Sequence, residues 1–351
     1  MKSKHFIIIV SSAIVLICGC SKDNSKDESK ETTTIENSFE TSEVKSTADN
    51  SGEIIESSTN TENSSFEGNS ASKEESSKDP YYIEDGPIEL GGKVEQPSID
   101  TGECVYDTEN ITKDEYTPYS IRKYVGNETK LVIPAEIDGE KILYINSNTF
   151  YGMTKIEEIY IEDGVEVISK GAFKKCISLK KIRLPSTLKS IEESAFEDCI
   201  NLTEIYIPDS VSSIGSKAFV NCDKLEKVRM PSTITVGSEA FVNCVSLKGE
   251  AIIPSGNEYV SQTYKDCTGI TKMTICEGPT RIFPYTFDGM TGLREVVFPE
   301  SAIDFYEVDR LFKDSENLEA IYVKKGSYAE YVFRDSPWSD IVVSVGGQYG
   351  Q

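Results

Sequence analysis

Ile205 to Leu225 reads IYIPDSVSSIGSKAFVNCDKL, and Ile182 to Leu202, just before it, reads IRLPSTLKSIEESAFEDCINL. The two strings are one pattern written twice. Working outward, the same spacing of an aromatic, a Cys three later and a Leu three later again appears four times. The copies are Phe173-Cys176-Leu179, Phe196-Cys199-Leu202, Phe219-Cys222-Leu225 and Phe241-Cys244-Leu247. An alternating apolar pair accompanies most copies: Ile159/Ile161, Ile182/Leu184, Ile205/Ile207 and Val228/Met230, usually closed by Pro185, Pro208 or Pro231. Self-similarity at a period of roughly twenty to fifty residues specifies a stack of repeats, in which one unit cannot bury its own apolar face.

The Phe-equivalent positions are 150, 173, 196, 219, 241, 264, 287 and 312, Phe everywhere except Tyr264, at intervals of 22, 23 or 25 residues. A triplet such as Ile205-Tyr206-Ile207 fits a short strand with two side chains in and one out. The residue five before each aromatic (Ile145, Ile168, Ile191, Ile214, Val236, Ile282) supplies another inward point. The Ala-Phe-x-x-Cys-x-x-Leu run suits a turn or two of helix, and Gly171, Gly215 and Gly237 near its start suit a turn. These readings predict an α/β solenoid of stacked units of about 23 residues, with short parallel strands and short helical turns. Leu247 to Pro254 is one residue longer than its counterparts, which predicts a bulge or kink there.

The pattern Ile-x-Ile-Pro followed by Val-x-x-Ile-Gly-x-x-Ala-Phe-x-x-Cys-x-x-Leu, seen best in residues 205–225, resembles the BspA-like leucine-rich-repeat proteins of bacterial surfaces. The resemblance covers about residues 119–343. It implies leucine-rich repeats with a cap at each end and a role in adhesion or recognition of macromolecules. The chain departs from ordinary leucine-rich repeats in lacking the Asn that bonds the turn; Pro and Cys stand instead.

The flanks divide the rest. Lys2 and Lys4 precede an uncharged run from Phe6 to Ile17, too short for a membrane span of about twenty residues and typical of a secretory signal. Ile17-Cys18-Gly19-Cys20 is similar to the lipobox of bacterial lipoproteins, which implies removal of residues 1–19 and lipidation of Cys20. Buried lipid methylenes, at roughly 0.8 kcal/mol each, would hold the chain to a membrane. Residues 20–80 are then an acidic Ser/Thr-rich tether without enough apolar surface to fold. A coil of sixty such residues spans on the order of 45 Å. The expected arrangement continues with an N-terminal cap over 81–130, with a hairpin at Tyr119 to Tyr124 turning at Gly126-Asn127. The repeats follow over 131–323. A C-terminal cap and tail occupy 324–351, with Trp338, Tyr328, Tyr331 and Phe333.

Composition excludes several functions. The formal net charge of −23 disfavours nucleic acid, which needs clustered Lys and Arg. The single histidine, His5, lies in the signal, so the processed chain has no Ser-His-Asp or Cys-His machinery and no His-ligated metal. No phosphate loop, Cys-x-x-Cys or calcium loop is present, and no carboxylate pair stands apart for glycoside chemistry. No catalytic residue, metal site or cofactor is expected. Cys176, Cys199, Cys222, Cys244 and Cys267 occupy one repeated position and read as a column of buried thiols, since parallel side chains do not converge on a metal. Cys104 and Cys276 have no deducible partner.

The candidate binding residues lie on the strands. Tyr160, Arg183, Tyr206 and Arg229 stand between the buried pairs, and Glu158, Lys181, Glu204 and Lys227 stand two residues earlier on the same face. Stacked in parallel they form an alternating Tyr/Arg column beside an alternating Glu/Lys column. Such columns serve equally as a self-satisfied sheet face or as a recognition surface rich in Tyr and Arg. The expected function is a non-enzymatic, lipid-anchored surface protein, outside the cytoplasm, that binds a protein or glycan ligand on a host or neighbouring cell. The alternative is an envelope scaffold or glycan-capture module.

Overall fold

Each unit contributes two short strands and one tight corner, and most of these sides are hydrogen-bonded to the next unit. The computed structural model describes residues 88–90, 96, 101–115 and 119–346. The signal, Cys20 and the tether lie outside the described residues.

The broader side is a parallel sheet made in three sections. Lys130–Ile133, Glu158–Ile161 and Lys181–Arg183 form the first, with Leu131, Ile159 and Ile182 in register. Glu204–Tyr206 and Lys227–Met230 form the second, and Ile88–Leu90 joins it as an additional parallel strand. Gly249–Ile253, Ile270–Ile275, Glu295–Val297, Ala320–Lys324 and Val342–Val345 form the third. The expected irregularity after Leu247 is present: the register shifts between Gly249 and Glu250.

The narrower side is built from two-residue strands. Tyr144–Ile145, Val167–Ile168, Ser190–Ile191, Ser213–Ile214 and Thr235–Val236 pair in parallel. Their inward residues Ile145, Ile168, Ile191, Ile214 and Val236 are all buried. Ser120–Tyr124 pairs with Tyr144–Ile145 and closes this end. It does form a hairpin, but with the preceding strand Ile111–Lys113, antiparallel. The reversal therefore comes before Ser120, not at Gly126-Asn127. Gly126 instead lies under Tyr124, whose hydroxyl donates to Asp107 at 2.8 Å.

The third side is the Ala-Phe corner. It is a chain of turns, not α-helix, because residues two before and two after each Phe have left-handed backbones. Asp198, Asn221, Asn243 and Asp266 have φ of 58–63°, and Ser194, Lys217 and Glu239 have φ of 57–62°. A helix needs consecutive right-handed residues, so neither flank can extend one. The corners pair instead from unit to unit: Phe173 N–H donates to Ala195 O, and Phe196 N–H to Ala218 O, both at 2.8 Å. Gly171 is left-handed (φ 63°), as a turn requires. Gly215 and Gly237 serve a different need. A Cβ on Gly215 would lie 2.4 Å from Glu193 N, and one on Gly237 2.5 Å from Ser216 N, so both permit close approach of the preceding unit.

The core is one continuous interior. Phe150, Phe173, Phe196, Phe219, Phe241 and Tyr264 stack with centroids 5.0–5.3 Å apart and planes within 12°. Beside them runs the cysteine column, in which each thiol donates to the aromatic carbonyl of the preceding unit. Cys199 Sγ reaches Phe173 O at 3.2 Å and Cys267 Sγ reaches Phe241 O at 3.0 Å. All seven described cysteines are free thiols. Burial pushes the thiols of Cys176 and Cys267 up to about 12. The C-terminal end is covered by the helix Tyr328–Arg334. Ser327 Oγ caps it by accepting from Glu330 N, Glu330 accepts from Gly326 N, and Phe333 is fully buried. Trp338 packs its edge on Phe312 at 5.0 Å.

Candidate recognition surface

The alternation of strand side chains decides which residues reach the broad sheet's outer face. In Glu158–Ile161, Ile159 and Ile161 point into the core, so Glu158 and Tyr160 point out. Parallel register then sets Lys181 beside Glu158 and Arg183 beside Tyr160. It likewise sets Lys227 beside Glu204 and Arg229 beside Tyr206. All eight expected residues thus stand in two columns on one face, interrupted between the first and second sections.

The charged column is longer than the four residues predicted. Register places Lys130 before Glu158, and places Glu250, Lys272 and Glu295 in succession in the third section. The signs alternate along each hydrogen-bonded section, so like charges are never neighbours there. Lys130 bridges Glu158 at 3.7 Å and also pairs with Glu103. Lys272 bridges Glu250 at 3.1 Å, and the Thr274 hydroxyl donates to the same carboxylate at 2.7 Å. Reading the repeats on past residue 247 at the position before each apolar pair would have found Glu250, Lys272 and Glu295; the degenerate Pro and Ile marks there concealed it.

The Tyr/Arg column is not uniform. Arg183 lies over the Tyr160 ring at 4.8 Å; Arg183 is exposed and Tyr160 half-buried. This pair presents a flat cation–aromatic platform, a contact worth about 0.5–1 kcal/mol at such sites. Tyr206 and Arg229 are only 8% and 5% exposed, so the expectation of an open face fails at these two positions. The Arg229 guanidinium donates to Ile207 O at 3.3 Å and bridges Asp209 at 3.1 Å. The Tyr206 hydroxyl donates to Glu204 at 3.3 Å. At Arg229 the physical reason is an additional strand beside it. Ile88–Leu90 sits beside Lys227–Met230, with Glu89 in register with Arg229. Gln96 also reaches the sheet, where its side-chain amide binds both Leu184 O (3.0 Å) and Leu184 N (3.2 Å). Residues before the repeats therefore occupy part of the face that the repeats alone would leave open.

A hollow of about 870 Å³ lies at the N-terminal end, between the Ser120–Tyr124 strand and the first corner, with Arg122, Asn127, Thr149 and Lys155 in its wall. Among the described residues no three His, Cys, Asp or Glu side chains group as a metal site. The cysteine thiols form a line, each already donating to a carbonyl.

The geometry that defines this molecule is its repeat, and comparison with known sequences agrees. The model of the BspA type leucine rich repeat region matches residues 143–264 and 257–345. That is more than half of the chain, and the chain belongs to the BspA-type leucine-rich-repeat family. Among solved structures, a leucine-rich-repeat protein of T. pallidum is 27% identical, over 50% of this chain and 82% of its own, with a TM-score of 0.46. A leucine-rich cell surface protein of Faecalibacterium prausnitzii is 18% identical, over 68% and 96%, with a TM-score of 0.28. The pneumococcal vaccine antigen PcpA is 14% identical, over 68% and 84%, with a TM-score of 0.34. No curated protein matches the sequence.

Proposed function

We propose that this chain is a non-enzymatic surface lipoprotein, held to a bacterial membrane through lipid on Cys20, whose solenoid binds a protein or glycan on a host or neighbouring cell. Membership of a leucine-rich-repeat family supports a binding role, since stacked units present extended surfaces for recognition. The observation that carries the reading is the Tyr160–Arg183 platform, held rigid by strand pairing and flanked by Glu158 and Lys181. Tyr and Arg on a pre-organised sheet lose little entropy on binding. Glu204 and Lys227, both half-buried, extend the same surface, whereas the buried Tyr206 and Arg229 do not contribute to it.

The test is a pull-down from host-cell surface extracts with the full-length chain, followed by binding measurements on Tyr160→Ala and Arg183→Ala against the partner recovered. At least a tenfold loss in each variant, with wild-type melting, supports the reading; unchanged binding removes this platform from it. Metabolic labelling with a palmitate analogue tests Cys20 separately, since Cys20→Ser must abolish incorporation if that residue carries the lipid.

A further inference from the structure

The broad sheet is open between Lys227–Met230 and Gly249–Ile253, which share no strand pairing. The sheet is also unpaired between Lys181–Arg183 and Glu204–Tyr206, but there Thr203 N–H still donates to Lys180 O at 3.3 Å. Before Gly249–Ile253 the chain carries its extra residue after Leu247, and the register of that strand on the following one shifts at Gly249/Glu250. The opening does not divide the solenoid. At the corner, Phe241 N–H still donates to Thr263 O at 2.9 Å, and the Phe241 and Tyr264 rings still stack at 5.3 Å. On the narrow side the Asn257 side chain replaces backbone pairing: its Oδ1 accepts from Val236 N at 3.1 Å and its Nδ2 donates to Val236 O at 2.7 Å. The molecule is hinged open on one side only.

Ile88–Leu90 lies in that opening. It pairs in parallel with Lys227–Met230 and abuts Gly249–Ile253. Only three residues pair, and Gly86-Pro87 before them and Gly91-Gly92 after them favour turns over longer strands. The register carries chemical information. Ile88 and Leu90 align with the buried Val228 and Met230, while Glu89 aligns with Arg229 on the outer face. A strand lodged here is therefore selected as apolar, acidic, apolar.

We propose that the opening is a β-strand acceptor site for an extended segment of a partner protein carrying an apolar–acidic–apolar triplet, and that Ile88–Leu90 is its resident competitor. Strand addition of this kind draws affinity from main-chain hydrogen bonds and specificity from alternate side chains. A short resident strand fits that role, because it protects an aggregation-prone edge yet releases few bonds when displaced. The inference deepens the reading of the sheet as a recognition surface. It does not depend on adhesion, because its test uses only a defined peptide.

The probe is a fluorescein-labelled peptide of residues 84–95 (EDGPIELGGKVE), titrated into the full-length chain and into Ile88→Asp/Leu90→Asp, with hydrogen exchange read by mass spectrometry. The variant places charge at the register positions of the buried Val228 and Met230, which disfavours the resident strand and frees the site. The peptide should bind it at least tenfold tighter than wild type, since competition lowers apparent affinity by the vacant fraction. Binding should protect amides in 227–230 and 249–253, and a peptide with Lys at the Glu89 position should bind at least tenfold more weakly. In wild type without peptide, amides 88–90 should exchange slowly. Equal binding to both proteins, no binding to either, or protection elsewhere would overturn the proposal, as would amides 88–90 exchanging at the free-chain rate in wild type. Dimers of wild type that the double variant does not form would instead identify a second copy as the occupant and overturn the choice of partner. If the double variant melts early, wild-type exchange with and without peptide still decides the matter.

Discussion

Phe219→Ala tests the shared core directly. Phe219 is fully buried, and its ring is stacked between Phe196 at 5.2 Å and Phe241 at 5.1 Å, nearly parallel to both. Truncation returns ~120 Å² of apolar surface to the ledger, about 3 kcal/mol at the usual coefficient. Two lost ring contacts add about 0.5–1.5 kcal/mol each. The hole cannot close by rotation of a neighbour, because Phe196 and Phe241 are themselves held by the next rings out. The expected cost is therefore about 4–6 kcal/mol, at the upper end of the range for buried aromatic truncation. For a domain of this size that lowers the melting temperature by roughly 10–15 °C. Because stability in a stack is passed between neighbours, hydrogen exchange should quicken across residues 196–241 before it does so near Trp338. The assay is calorimetry paired with exchange. A melting temperature within a degree of wild type would refute the claim that these rings form one interior.

Gly215→Ala should destabilise by about 1–3 kcal/mol, because the new methyl meets Glu193 backbone at 2.4 Å and the units must part; a denaturant midpoint equal to wild type would contradict this. Asn257→Ala leaves the Val236 N–H and C=O without their side-chain partner, at about 1–3 kcal/mol each, and should show as early exchange at the Thr235–Val236 strand. The thiol column predicts a pH effect. Folding holds Cys176 and Cys267 neutral to about 12, against an ordinary value of 9.0, so their stabilisation is complete below pH 9 and is lost as pH rises from 9 toward 12. Each contributes a slope of about 1.4 kcal/mol per pH unit there. Cys267→Ser removes one such group while keeping a donor, as Ser315 does when it bonds Phe287 O in the equivalent place. Its urea midpoint should fall less steeply than wild type between pH 9 and 10.5, and parallel curves would disprove the assignment.

The 23-residue spacing of Phe150 to Phe287 was enough to state the stack, the inward Ile and Phe positions, the thiol column and the irregularity after Leu247. Those features follow from local periodicity, because a repeated unit meets a copy of itself and so carries its contacts in its own spelling. The alternating Glu158-Lys181 and Glu204-Lys227 columns were legible for the same reason. The left-handed corners were legible too, in the Asp, Asn and Gly two residues after each aromatic, but a run of Ala-Phe-x-x-Cys-x-x-Leu also has helical spacing and that signal prevailed.

What the sequence could not state is where Ile88–Leu90 and Gln96 lie. Three residues between Gly-Pro and Gly-Gly carry no period, and nothing local pairs them with a strand about 140 residues away. Only the tertiary structure brings them to the sheet, because the edges they bond, Lys227–Met230 and Leu184, exist only once the units have stacked. Arg229, beside that strand, is buried while Arg183 remains exposed, although the two stand at equivalent positions of the repeat. Repetition determined the interior; a single non-repeating contact decided which part of the surface is open.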